Sequence, residues 1–264
     1  MNELLQIAIT AALEAGDKIL EVYNSDFAVE HKDDNSPLTL ADKKSHDCIT
    51  AHLAETPYPL LSEEGAEIPY EERKNWKTLW IVDPLDGTKE FVKRNGEFTV
   101  NIALVENGIP VLGVIFVPVQ QKLYYAAKGM GAFTLSTFGL QPSTVDLGLL
   151  MNTGVPLPVK HNRNKFTIVA SRSHLSEETL QYVEDMKKKH GEVDFISSGS
   201  SLKICLVAEG SADVYPRFAP TMEWDTAAGQ AIALEAGKNL IDFSTGNPMV
   251  YNREQLRNNW FIAE

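Results

Sequence analysis

The segment Asp83-Pro84-Leu85-Asp86-Gly87-Thr88 places two carboxylates three residues apart, directly after the apolar run Leu79-Trp80-Ile81-Val82. The run predicts a buried strand that ends on Asp83. Hard divalent cations take oxygen ligands, and Mg²⁺ is usually held by one or two carboxylates while it keeps water. A strand that ends on Asp83 and turns at once aims Asp83 and Asp86 at one point and frees the Leu85 carbonyl as a further ligand. Pro84 fixes one backbone angle, and Gly87 permits a tight turn with close approach of the main chain to a phosphate. If Thr88 opens a helix, its N–H and that of Gly87 point at an anion. The competing reading is a surface turn, for which Asp, Pro and Gly are ordinary residues. The strand before the segment and the Thr after it favour the metal site. The aspartyl-phosphatase pattern Asp-x-Asp-x-Thr does not fit, because these two Asp are three apart rather than two.

The chain that must position these groups has 264 residues, 44% of them hydrophobic, enough for one large α/β domain or two modest ones. Its 24 basic and 36 acidic residues leave a net charge of −12, the wrong sign for a protein that neutralises a nucleic-acid backbone. A small phosphorylated molecule is compatible with that charge only if metals and a few placed Lys or Arg reverse the field locally. The two cysteines, Cys48 and Cys205, are far apart and read as reduced thiols of a cytoplasmic protein. The apolar stretch Leu4–Leu13 is preceded by Glu3 and followed by Glu14, Asp17 and Lys18, and is too short to span a bilayer. It predicts an amphipathic helix with Leu4, Ile7, Ala8, Ala11, Ala12, Ala15, Ile19 and Leu20 on helical spacing.

Further along, residues 31–37 predict a polar loop or hairpin tip, and a helix is expected from Thr39 or Ala41 to about Leu53. Phe98–Val105 and Val111–Val117 predict strands joined by the hairpin signal Asn107-Gly108. Leu123–Ala126 predicts another strand, and Gly129–Val159, with Asp146 its only charge, predicts extended structure connecting two lobes. In the second part, strands are expected at Phe166–Ala170, Val193–Ile196 and Ala212–Tyr215. Helices are expected at Glu177–His190, Leu202–Glu209 and Thr226–Ala236, the first closed by Lys187–Lys189 where cations suit the dipole. Helices and strands mix throughout, which predicts a layered α/β or α+β protein. The six histidines show no ligand spacing and read as surface residues, and the acidic run 63–72 reads as mostly solvated loop.

Trp80–Thr88 resembles the signature of the lithium-sensitive inositol monophosphatase superfamily. Trp224-Asp225-Thr226-Ala227-Ala228-Gly229 resembles its second signature, and Ser62-Glu63-Glu64-Gly65 its Glu-Glu element, with Ser62 where inositol monophosphatases often carry Gly. The resemblance covers essentially the whole chain. It implies a layered α-β-α-β-α sandwich of the inositol monophosphatase/fructose-1,6-bisphosphatase type. Residues 1–160 would form one lobe with the main metal site, and residues 161–264 a second that brings Asp225 and the specificity residues. It implies two or three Mg²⁺ held by Glu63, Asp83, Asp86, Asp225 and the Leu85 carbonyl. It also implies a water activated by Thr88 and by an Asp on the early helix, for which Asp42 in Leu38-Thr39-Leu40-Ala41-Asp42 is the match. For Asp225 a helix N-cap is the alternative or additional role, and Glu64 reads as a solvated neighbour.

Within the superfamily the chain is most similar to the CysQ-type 3′(2′),5′-bisphosphate nucleotidases. The similarity is carried by Lys32–Thr39, Gly87–Phe91, Lys93–Asn101, Gly199–Lys203 and Tyr215-Pro216-Arg217. It implies hydrolysis of adenosine 3′,5′-bisphosphate to AMP and phosphate, with its sulfated precursor as a second substrate, and sensitivity to lithium. A second phosphate needs a cationic partner beyond the metals, and Ser200, Lys203 and Arg217 stand on consecutive elements leading to Asp225. The alternatives are an inositol monophosphatase, a fructose-1,6-bisphosphatase, and a metal-dependent nucleotide sensor without catalysis.

Overall fold

The computed structural model describes residues 1–25, 37–170 and 176–264. Residues 31–36 of the loop expected at 31–37, His31, His174 and most of the Lys32–Thr39 stretch lie outside the described residues, while Pro37 already belongs to a helix. The elements are α1 Asn2–Tyr23, α2 Pro37–Leu53, β1 Leu60–Ser62, α3 Tyr70–Arg73, β2 Thr78–Asp86, α4 Thr88–Val92, β3 Thr99–Glu106, β4 Ile109–Val117, β5 Lys122–Ala127 and β6 Gly131–Ser136. There follow α5 Leu147–Thr153, β7 Val155–Pro156, β8 Phe166–Ala170, α6 Glu177–His190, β9 Val193–Ser197, α7 Leu202–Glu209, β10 Tyr215–Arg217, α8 Ala227–Glu235, β11 Leu240–Asp242 and β12 Phe261–Ala263.

Strands β1 to β7 form one sheet in sequence order, with β1 parallel to β2 and every other neighbour antiparallel. The alternation of side chains in β2, β3 and β4 sorts them onto two faces. Trp80, Val82, Val100, Ile102, Leu104, Leu112, Val114 and Phe116 join the core under α1 and α2. Leu79, Ile81, Ala103, Val105, Ile115 and Val117 join the core under α7 and α8. Small residues set the distances between layers: a Cβ at Gly113 would run into the Ala228 carbonyl, and one at Gly16 into the Phe116 ring. Beyond α7 and α8 come the β10-β12-β11 sheet and the β8-β9 pair, bridged by Ile168 and Val214, with α6 on the outside. The result is the expected α-β-α-β-α sandwich.

The Asn107-Gly108 turn has both residues at positive φ, 50° and 79°, as a two-residue hairpin requires. Ser176 accepts from the Thr179 N–H at the start of α6, and the Lys187–Lys189 run lies in its last turn. The expected extended run over 129–159 is only partly strand. Asp146 accepts from the Gly148 N–H at 2.8 Å and caps α5, whose Leu150 is buried while its carbonyl accepts from the Tyr125 hydroxyl. A single capping side chain thus starts a helix in a stretch without charge patterning. The strand expected at 212–215 runs instead over Tyr215–Arg217, because its partner β12 lies opposite those residues. Strands β1, β11 and β12 carry no pattern of their own, being three residues each.

Candidate active site

Strand β2 does not stop at Asp83, as the sequence suggested, but continues to Asp86 through a break in register. Asp83 pairs with Asn101 and Asp86 with Thr99, so Pro84 and Leu85 together oppose Val100. This is a β-bulge, and its extra residue restores parity. In a regular strand, side chains three apart face opposite sides. Here Asp83 and Asp86 share the α7/α8 face with Thr99 and Asn101, while Leu85 drops into the opposite core. Pro84 is tolerated because the bulge asks for no ladder N–H there. The bulge is held from both sides: the Leu85 N–H donates to Asp83 Oδ1 at 3.1 Å, and the Ser45 hydroxyl on α2 donates to the Pro84 carbonyl at 2.7 Å.

Three further elements converge on it. Glu63 follows β1, whose parallel pairing to β2 sets Ser62 opposite Val82. Ser62 Oγ lies 3.0 Å from His46 Nδ1 on α2. Asp42, one turn before His46, is buried, and its carboxyl is pushed up to about 8 by burial and by Glu64 and Glu63. Asp225 sits on a one-turn 3₁₀ segment, Glu223–Asp225, pinned by Glu223, which accepts from the Asn252 and Arg253 N–H groups and from Arg253 Nε. Asp225 Oδ2 accepts from the Met222 N–H at 2.8 Å, so its capping role is real but serves this turn rather than α8.

Donor oxygens of Glu63, Asp83 and Asp225 lie within 4.8 Å of one another, with Asp83 buried, Asp225 half-buried and Glu63 at the solvent edge. Burial and repulsion by neighbouring carboxylates push all three carboxyls up: Asp83 strongly, Glu63 with Asp86 as the main repelling charge, and Asp225 to about 7. A crowded set of oxygen donors that oppose each other's ionisation fits a divalent cation, whose charge would relieve the repulsion. Asp86 completes the group from the far side of the bulge. Its Oδ2 accepts from the Ser201 N–H at 2.6 Å and lies 2.7 Å from the Ser201 hydroxyl. That hydroxyl is also 2.6 Å from the Asp225 carbonyl and accepts from Asn101 Nδ2, and Asn101 Oδ1 in turn accepts from Thr99.

The cluster borders a cleft lined by Asp86, Gly87, Ser200, Lys203, Arg217 and Asp225, among others. Gly87 has φ 97°, which favours glycine, and a Cβ there would sit tightly, 3.2 Å from Phe98 Cα and from Ser200 Cβ. Thr88 opens α4 as expected but is exposed, and among the described residues no hydrogen bond joins it to Asp42. Lys203 is not the surface cation its type suggests. It is buried above the Tyr215 ring, donates to the Ser200 and Ser198 carbonyls, and is pushed down to about 8, chiefly by burial. Arg217 donates to the Pro220 carbonyl, but its buried Nε has no acceptor among the described residues.

Ser201, Asn101 and Thr99 fall in stretches that carry the resemblance, but sequence reasoning assigned them no role at the site, and nothing in the sequence signals the His46–Ser62 contact. Asn101 and Thr99 were legible only to someone who knew the β2/β3 register. The histidines are less uniformly superficial than expected: His46 and His52 are half-buried on α2, while His161 and His190 are exposed.

An α-β-α-β-α sandwich with an acidic donor cluster at a strand bulge defines the class, and the chain belongs to the inositol monophosphatase family, whose model matches residues 1–263. The chain is 57% identical to CysQ from Bacteroides thetaiotaomicron, a bacterial member of that family. The two structures superpose with a TM-score of 0.95 over 100% of this chain and 97% of the other. It is 43% identical over 263 residues to the 3′(2′),5′-bisphosphate nucleotidase CysQ of Salmonella typhimurium strain LT2, covering 98% of each chain. An inositol monophosphatase from Zymomonas mobilis, 22% identical with a TM-score of 0.75 over 99% of this chain and 92% of that one, shares the fold. Among the described residues no helix is long and apolar enough to cross a membrane.

Proposed function

We propose that the chain is a Mg²⁺-dependent phosphatase that removes the 3′-phosphate of adenosine 3′,5′-bisphosphate, leaving AMP and phosphate, and that also accepts the sulfated precursor. The observation that carries this is the convergence of Glu63, Asp83 and Asp225 beside a cleft whose wall holds Lys203 and an Arg217 Nε that has no acceptor among the described residues. A metal cluster meets one phosphate; the cationic wall meets a second. The likeness to CysQ nucleotidases over nearly the full chain supports the same substrate.

In this reading Glu63, Asp83, Asp86, Asp225 and the Leu85 carbonyl hold two or three Mg²⁺. Bound there, the ions supply charge neutralisation at the phosphoryl oxygens and a more acidic water. Asp42 takes the proton of the attacking water and Thr88 orients it. The Gly87 and Thr88 N–H groups face the transferred phosphoryl group. Ser200 and Arg217 receive the other phosphate, and Lys203 adds its charge from beneath while holding the Ser200 turn. Residues 1–160 then form the lobe with the main metal site, and residues 161–264 the lobe with Asp225 and the specificity residues. Two free thiols suit a cytoplasmic setting.

Phosphate release should be measured on adenosine 3′,5′-bisphosphate, its sulfated precursor, an inositol monophosphate and fructose 1,6-bisphosphate, each with and without Mg²⁺ and Li⁺. The bisphosphate nucleotide should have the highest kcat/KM, with no turnover after chelation. Equal rates on the sugar or inositol phosphates would sink the substrate assignment, and turnover without any divalent ion would sink the metal site.

A further inference from the structure

On the face of the molecule formed by α1 and α2, a second donor set comes together with different chemistry. Cys48 and His52 are four residues apart on α2 and project from one side of the helix. Glu14 on α1 faces both. Its Oε2 lies 2.9 Å from His52 Nε2 and 4.0 Å from Cys48 Sγ, and one donor atom from each residue falls within 4.8 Å of the others. All three side chains are partly exposed, so the place is open to solvent. A tetrahedral Zn²⁺-type ion, with metal–ligand distances of about 2.0–2.3 Å, needs its donors roughly 3–4 Å apart. The present triangle is thus within about an ångström of a coordination geometry.

The donor types separate this place from the Glu63 cluster. Carboxylates and carbonyls suit Mg²⁺, whereas a thiolate with an imidazole and one carboxylate suits Zn²⁺ and its neighbours. The Cys48 thiol is pushed up to about 11 by burial and by Glu14, with Lys18 opposing and Asp17 adding to the shift. A cation among the three residues would reverse the Glu14 effect and release the thiol proton to solvent.

We propose that Glu14, Cys48 and His52 form a three-donor site for a borderline transition-metal cation of the Zn²⁺ class, with the fourth position left to water. The ion would clamp α1 to α2, the helix that carries Asp42 six residues before Cys48. The site does not depend on the phosphatase reading, and its test is spectroscopic.

The full chain, without added histidines and with excess Mg²⁺ to occupy the oxygen cluster, is titrated with Co²⁺. A near-ultraviolet thiolate-to-cobalt charge-transfer band should saturate at one ion per chain. The oxygen-only cluster has no thiolate and cannot produce it. Cys48→Ser should abolish the band, Cys205→Ser should retain it, and His52→Ala should weaken cobalt binding by at least about tenfold. No band in the unmodified chain, a band that survives Cys48→Ser, or unchanged affinity in His52→Ala would each overturn the proposal.

Discussion

Ser201 joins Asp86 to Asp225: its N–H donates to Asp86 Oδ2 at 2.6 Å, and its hydroxyl lies 2.7 Å from that oxygen and 2.6 Å from the Asp225 carbonyl. Two acidic residues 139 positions apart in sequence are thereby placed by one side chain at the start of α7. A hydroxyl that orients candidate metal ligands should act on metal affinity more than on folding. In Ser201→Ala, the Mg²⁺ concentration for half-maximal phosphate release should rise by about 10–100-fold, while unfolding stability falls by about 1 kcal/mol. A Mg²⁺ titration beside a denaturant melt checks this; an unchanged Mg²⁺ midpoint would refute it.

Asp83 is the most confined member of the cluster, and its carboxyl is raised by burial and by Asp86, Glu63 and Asp225. Asp83→Asn keeps an acceptor for the Leu85 N–H but removes one of the mutually repelling charges. Phosphate release should fall by at least about 100–1000-fold. The metal-free protein should melt at a higher temperature than the parent, and added Mg²⁺ should no longer stabilise it. Melts in chelator and in Mg²⁺ separate the two effects.

Asp42 reaches the cluster from α2, beside Glu63 and Glu64. If it handles the proton of the attacking water, Asp42→Asn should lower kcat by about 100-fold or more and leave KM nearly unchanged. An equal loss in Mg²⁺ affinity would instead make it a ligand.

Arg217, in the wall of the cleft, carries a buried Nε without an acceptor among the described residues. Its removal should matter only when the substrate brings a second phosphate. Arg217→Ala should raise KM for the nucleoside bisphosphate by about 10–100-fold, the loss of a charged hydrogen bond of about 1.5–3 kcal/mol. It should leave a nucleoside 3′-monophosphate unaffected. Arg217→Lys should recover only part, since the planar fork is lost.

Lys203 is pushed down from 10.5 to about 8 in the folded state, chiefly by burial. Below pH 8 both folded and unfolded chains carry this proton, and the fold bears the full cost of burying it. Between about 8 and 10.5 the folded chain has released the proton while the unfolded chain still holds it. The contribution of Lys203 to stability therefore rises with pH across that window. Subtracting the curve of denaturation midpoint against pH for Lys203→Met from that of the parent removes the shared Tyr and Cys titrations. The difference should climb between those two values, and a flat difference would contradict it.

Much of the architecture was legible because it rests on local signals. The Asn107-Gly108 hairpin, the lysine-rich end of α6, and the apolar runs of β2 to β5 each act over a few residues. The missing pieces lacked such a signal. Helix α5 starts on Asp146 alone, β1 exists because the longer β2 offers it an edge, and β10, β11 and β12, three residues each, exist because they pair with one another. The chemistry of the Asp83–Thr88 segment was visible as residue types, but the expected simple turn was a bulge, and only pairing with β3 could reveal it.

By itself the sequence determined which side chains were available: carboxylates at 42, 63, 83, 86 and 225, a glycine where the backbone must turn left-handed at 87, and cations at 203 and 217. Tertiary structure decided what they could do together. The bulge turned Asp83 and Asp86 to one face, and packing of α7 and α8 on that face brought Ser201 and Asp225 against them. Burial then changed the chemistry, raising the carboxyls of Asp42, Glu63, Asp83 and Asp225 and lowering Lys203. Proximity and dielectric environment are properties of three-dimensional packing, and no spacing along a chain encodes them directly.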